Sequence, residues 1–196
     1  MSIAQAVTRL TRSDIEPHQA VEILASLEQT HGRPARERAW TMWRAHPVDA
    51  ASAVAQAAVL VDQLQTVAAV ELLEAAHEAW PSSAPVITAL ASLYARRCDL
   101  GSAIALCEQW TKTAPGEAEA WFTLGYYLSA AGRLEEAMDA LQACVDGEGD
   151  LGLYRPAVSN LYQVKHLVGQ PAGGLLDLLP DERYLRCYRT CGILRA

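Results

Sequence analysis

The chain has 196 residues, of which 51% are apolar and 20% charged; that balance can bury a core and argues against disorder. Net charge is −7, from 16 Lys+Arg against 23 Asp+Glu, and no strongly basic run occurs, so a phosphate backbone finds little positive surface and nucleic acid is not an expected partner. Alanine, leucine and glutamate are abundant while phenylalanine occurs once, which favours helix over sheet.

In chain order, the opening MSIAQAVTRLTRSD has no continuous apolar stretch and carries Arg9 and Arg12 where one would lie. It reads as a short amphipathic helix over 3–12 and not as a signal peptide. Glutamine interrupts the apolar run AASAVAQAAVLV at 50–61, which falls short of the roughly 18 apolar residues of a membrane span. No membrane span and a cytoplasmic location are therefore expected. Helix periodicity and breakers then predict pairs at 17–31 with 34–46, 49–63 with 66–80, 84–97 with 101–113, and 117–131 with 134–146. Pro34 suits a first helical turn, Ser83 and Asp99 suit caps, and Gly132 suits the left-handed residue that ends a helix. A further helix is expected over 153–169, with Leu153, Ala157, Leu161 and Val164 on one face and Pro156 confined to the first turn. A break at 170–174 precedes a last helix over 181–194 with an Asp N-cap and the apolar stripe Tyr184, Leu185, Tyr188 and Ile193.

These pairs repeat. Pro47, Pro81 and Pro115 are 34 residues apart, and Ala35, Ala69, Ala103 and Ala137 share that spacing. Two markers in one phase over several periods identify an internal repeat. In AWFTLGYYLSAAGRLEEA (120–137), Trp121, Leu124, Gly125 and Leu128 precede Ala137 and Leu141. Ile87, Leu90, Ala91, Tyr94, Ala103 and Cys107 stand one period earlier. This pattern resembles the tetratricopeptide repeat (TPR), with signature W-x2-L-G-x2-Y followed by A-x3-F. The resemblance covers about residues 16–149, although Gly149 stands where a fourth closing proline would fall. Gly125 is read as the place where the first helix of a unit approaches its second. In the first two units strict phase would put Gln19, Glu22 and Gln56 at core sites. A one-residue shift instead gives Ala20, Ile23, Leu24 and Leu27, then Val54, Ala57, Ala58 and Val61, restoring an apolar stripe.

The fold implied is all-α: a right-handed α-solenoid of about four TPR helix pairs, with capping helices at both ends. Residues 1–170 form the array, with repeats at about 16–47, 50–81, 84–115 and 118–149 and an extra helix at 153–169. Residues 171–196 form a C-terminal capping or docking helix.

No catalytic motif is present: no G-x-S-x-G, phosphate loop or H-E-x-x-H. The five histidines are scattered, with His46 and His77 near helix C-termini, where a cation suits the helix dipole. Cys107 and Cys144 fall at packing positions, while Cys187 and Cys191 with His166 supply too few ligands for zinc. Glu71, Glu74, Glu78, Glu135 and Glu136 read as a solvated outer face. No enzyme activity, cofactor or metal is expected.

The resemblance implies a concave groove lined by the first helix of each unit. Carried onto units three and four it includes Pro85, Thr88, Ser92, Ala95 and Arg96, then Glu119, Phe122, Tyr126, Ser129 and Ala130. The family's carboxylate clamp of lysine, arginine and asparagine is missing, so chaperone C-terminal tails are disfavoured. Trp121 and Leu124 are assigned to the core, and Phe122 and Tyr126 to the opposite face. Thr88, Ser92, Arg96, Glu119, Phe122, Tyr126 and Ser129 are the expected contact residues of a protein-interaction adaptor. Its partner is an apolar or helical protein segment. The alternatives are a bacterial secretion-type chaperone for an apolar export substrate, and a TPR scaffold that self-assembles into a homo-oligomer.

Overall fold

The computed structural model describes residues 1–12, 15–44, 49–147 and 151–172, with the side chains of 44 and 151–155 left aside. Its elements, in order, are α1 (Ile3–Leu10), α2 (Pro17–His31), α3 (Arg33–Arg44), α4 (Ala50–Asp62), α5 (Thr66–Ala79), α6 (Ala84–Arg96), α7 (Leu100–Thr113), α8 (Ala118–Ala130), α9 (Leu134–Asp146) and α10 (Leu151–Leu167). All described elements are helices, so the fold is all-α as expected. The chain divides into two units, Met1–Cys98 and Asp99–Ala196, and each is described by itself.

In the first unit, α1 starts with a capping box in which Ser2 Oγ accepts from the Gln5 amide while the Gln5 side chain accepts from the Ser2 amide. Its buried Ala6, Val7 and Leu10 join Ala20, Ile23, Leu24 and Leu27 of α2 and Ala35, Ala39 and Trp43 of α3 in one core. The shifted register thus holds in α2. Arg36 of α3 ties three helices, its guanidinium lying 3.0 Å from Glu28 of α2 and 3.8 Å from Asp62 of α4.

In α4 the shifted register is wrong. The buried face carries Ala53, Gln56, Ala57 and Leu60, whereas Val54, Ala58 and Val61 are only partly buried. That face is the strict 34-residue phase of Leu124 and Gly125, so helix pairing sets the register even where it buries a glutamine. Gln56 is 1% exposed and its Nε2 has no hydrogen-bond partner. Pro85 opens α6 in its first turn behind the N-cap Ser83, whose side chain makes no capping bond. Across the unit, Tyr94 of α6 donates its hydroxyl to Glu74 of α5 at 2.7 Å.

The second unit begins with Asp99, whose carboxylate accepts from the Ser102 amide at 3.1 Å. Here α7 packs on α8, α8 on α9, and α10 on both α8 and α9. At Gly125 the two helices approach closely: a Cβ there would lie 2.6 Å from Leu141 Cγ on α9. Trp110 is fully buried and donates its indole N–H to Glu117 at 2.8 Å, while Trp121 donates to the Pro115 carbonyl at 2.8 Å. Trp121 is half-buried, not core as expected, and its indole N–H is drawn to the loop before α8 at the Pro115 carbonyl. Cys107 and Cys144 are buried, as their packing positions implied.

The last described helix, α10, starts two residues earlier than expected, so Pro156 lies inside it. Its buried Ala157, Val158, Leu161 and Tyr162 sit in the 34-residue phase of Thr123, Leu124, Tyr127 and Leu128. This makes α10 the first helix of a fifth unit. The chain leaves it through Gly169 at φ +73°, with the Gln170 amide donating to the Lys165 carbonyl at 2.8 Å. The helix expected over 181–194, with Cys187 and Cys191, lies outside the described residues, as does His46.

Candidate functional site

The expected contact residues fall on two helices, one in each unit. On α6, Thr88, Ser92 and Arg96 follow at i, i+4 and i+8 and so share a face. Ser92 and Arg96 are exposed, whereas Thr88 is half-buried and donates its hydroxyl to its own helix at the Ala84 carbonyl, 2.8 Å away.

In the second unit, α8 and α10 flank a cleft of about 260 Å³. From α8 it takes Tyr126, Ser129 and Ala130, a stripe at i, i+3 and i+4. From α10 it takes Asn160, Gln163, Val164 and Leu167, a stripe at i, i+3, i+4 and i+7, and Leu134 at the start of α9 also lines it. Glu119 and Phe122 lie nearer the start of α8, half-buried, and do not line the cleft.

Two of the apolar groups here stay open to solvent, whereas Val164 is buried. Tyr126 is 54% exposed and Leu167 69% exposed, an unusual state for large apolar side chains in one cleft. The ring of Tyr126 stands edge-on to Tyr127, with centroids 5.3 Å apart and planes at 75°. Tyr127 itself is buried, and desolvation, followed by the neighbouring Cys107 and Tyr126, pushes its hydroxyl pKa up to about 12. The Cys107 thiol behind it is likewise pushed up to about 12, chiefly by burial and then by Glu108. Both groups are therefore neutral at physiological pH. Ser129 is committed to its own helix, donating its hydroxyl to the Gly125 carbonyl at 2.8 Å.

Among the described residues, none that lines the cleft is Asp, Glu, Lys, Arg or His. It can accept an apolar side chain and offers the amides of Asn160 and Gln163 for hydrogen bonding. Among the described residues, no group of three or more His, Cys, Asp or Glu could hold a metal ion, and no helix is long and apolar enough to cross a membrane. The α10 wall escaped the sequence reading. Its signal was the period itself: adding 34 to Tyr126, Ser129 and Ala130 gives Asn160, Gln163 and Val164.

Residues 60–124 match the family model described as Tetratricopeptide repeat. No curated protein matches the chain. Among solved structures, MamA 41-end from Desulfovibrio magneticus RS-1 is similar at 16% identity and TM-score 0.57, covering 80% of this chain and 88% of that one. A crystal structure of MamA gives 16% identity and TM-score 0.59 over 79% and 91% of the two chains. MamA AMB-1 gives 20% identity and TM-score 0.54 over 89% and 90%. At such identities the likeness concerns the fold. The tetratricopeptide-repeat match covers residues 60–124, and the Gly125 contact and the 34-residue phase carry the same helix-pair pattern on into α10.

Proposed function

We propose that the protein is a non-catalytic adaptor that holds an apolar or amphipathic segment of another protein against the exposed faces of its first helices. TPR arrays are protein-interaction scaffolds, and that supports the general class. The observation that carries the specific reading is the α8/α10 cleft, which keeps Tyr126 and Leu167 exposed on neutral walls. An amphipathic helix or extended strand meets such a surface by inserting apolar anchors at helical or alternate spacing. Phe122 and Glu119 extend the contact toward the start of α8, and Thr88, Ser92 and Arg96 serve in the same way on α6.

Affinity capture with the full-length protein tests this reading. Tyr126→Asp and Leu167→Asp each place a charge in the cleft without touching a fully buried side chain, so the helical circular dichroism should be retained. Capture of the protein's specific partner should fall by a factor of ten or more, since a buried unpaired charge costs over about 1.4 kcal/mol. Phe122→Ala with Tyr126→Ala should weaken capture less. Undiminished capture by both aspartate variants would exclude the cleft as the binding surface.

A further inference from the structure

We infer that the α8/α10 cleft takes an extended segment of its partner and not a helix. The segment's backbone bonds the side-chain amides of Asn160 and Gln163, and one uncharged aliphatic side chain lodges between Leu134 and Leu167. This rests on the binding role proposed for the cleft and names the class of partner that fits it. The two ends of the cleft differ in chemistry. Tyr126 and Asn160 are equivalent residues one period apart, as are Ser129 and Gln163, and then Ala130 and Val164. Hydroxyls and amides therefore gather toward one end, and Ala130, Leu134, Val164 and Leu167 toward the other.

The amides decide between a strand and a helix. Among the described residues, the side chains of Asn160 and Gln163 have no hydrogen-bond partner. Asparagine is a poor helix former, and Asn160 makes no side-chain bond to its own helix that would explain its place in α10. Ser129, by contrast, has its hydroxyl engaged at the Gly125 carbonyl. A side-chain amide offers N–H donors and a C=O acceptor together, the counterpart of a peptide group. A helix pairs its backbone N–H and C=O groups internally and has none for these amides. An extended segment arrives with those groups unpaired and gains hydrogen bonds here.

The dimensions agree. From Asn160 to Leu167 the wall is about 10 Å long, or about three residues of extended chain. The volume of about 260 Å³ falls below the roughly 300–1,000 Å³ of pockets that enclose a whole small molecule. It suits a single side chain with the backbone on either side of it. Asp, Glu, Lys, Arg and His are missing from the lining residues, so a charged side chain entering here would lose water without gaining a counter-ion. Tyr126 and Leu167, both exposed, are the surfaces that the segment covers.

The experiment selects binders of the full-length protein from a random-peptide phage library. Enriched peptides are synthesised with and without N-methylation of the backbone at each position. Their affinities are measured by calorimetry against the wild type, against Leu167→Asp, and against Asn160→Ala combined with Gln163→Ala. The expected motif is an aliphatic residue flanked by uncharged ones. Affinity should fall by about tenfold or more in Leu167→Asp. It should fall by about tenfold in the alanine pair, and several-fold on N-methylation beside the aliphatic anchor. Amide-exchange protection of α8 and α9 checks that each variant remains folded. Peptides that need Leu167 yet tolerate N-methylation and the alanine pair would overturn the extended-segment reading while retaining the cleft as a binding site. Peptides indifferent to Leu167→Asp, or a library that yields no binder, would overturn it together with the cleft.

Discussion

An added methyl at Gly125 would stand 2.6 Å from Leu141 Cγ, 2.9 Å from its Cδ2 and 3.3 Å from the Ala137 carbonyl oxygen. The backbone oxygen cannot yield cheaply and Leu141 is fully buried. Gly125→Ala should therefore destabilise the protein by about 1–3 kcal/mol, the usual range for overpacking, despite the better helix propensity of alanine. Introduced into a Leu141→Ala background, the same substitution should cost much less, and urea denaturation of the four proteins measures that coupling. Gln56 presents the opposite case, since it fits but leaves its Nε2 unpartnered in the core. Gln56→Leu should raise stability by about 1 kcal/mol, because it removes a buried, unsatisfied donor; a lower urea midpoint would contradict this account. The two residues also mark what could be read from the chain. Gly125 declared its role because a costly glycine among helix formers needs a packing reason. Gln56 hides its role because a polar side chain at a core position of the repeat looks out of phase, although the 34-residue period places it there.

At the scale of elements, the turns inside the repeats obey the same period. Leu64, Cys98 and Gly132 are 34 residues apart and take φ of +62°, +62° and +75°. Each amide donates to a carbonyl three residues earlier: Leu64 to Val61, Cys98 to Ala95 and Gly132 to Ser129. The left-handed conformation costs a non-glycine residue about 1–2 kcal/mol, and glycine gives back about 0.5–1 kcal/mol of that through unfolded-chain entropy. Leu64→Gly, at a side chain 90% exposed, should gain about 0.5–1 kcal/mol, the difference between these effects. Cys98→Gly should behave alike, and Gly132→Ala should lose a similar amount, all measured by thermal unfolding. Only Gly132 betrayed this geometry to the eye, since leucine and cysteine do not advertise it. Helix limits were legible to within two residues from α2 to α9, helped by Gly32, Asp99 and Gly132 at three of the breaks. Pro156 misled, since α10 extends upstream past it.

For the whole molecule, buried acids in the second unit weaken stability at alkaline pH: Cys107 and Tyr127, with the Cys144 thiol also raised by burial. The folded pKa of Cys107 is raised from 9.0 to about 12, and that of Tyr127 from 10.0 to about 12. Well below pH 9 both groups are neutral in the folded and unfolded chains, and their contribution is fully present. As pH rises toward 12 the unfolded chain releases these protons first, so stability falls, at about 1.4 kcal/mol per pH unit for each group titrating in that window. The urea midpoint should decline steadily from pH 9 to 12, and Cys107→Ala should flatten its contribution. The candidate site was half legible: Tyr126 and Ser129 followed from the repeat, while the facing wall required carrying the period past Gly149. The neutrality of that cleft has a kinetic consequence. The described walls add no steering of their own, and the net charge of −7 exerts little pull on an uncharged segment, so association with such a segment should run at about 10⁵–10⁶ M⁻¹s⁻¹, the range for unsteered encounters. Added salt should leave that rate almost unchanged. Competing occupants would then arrive at similar rates, and the one that dissociates most slowly would hold the cleft.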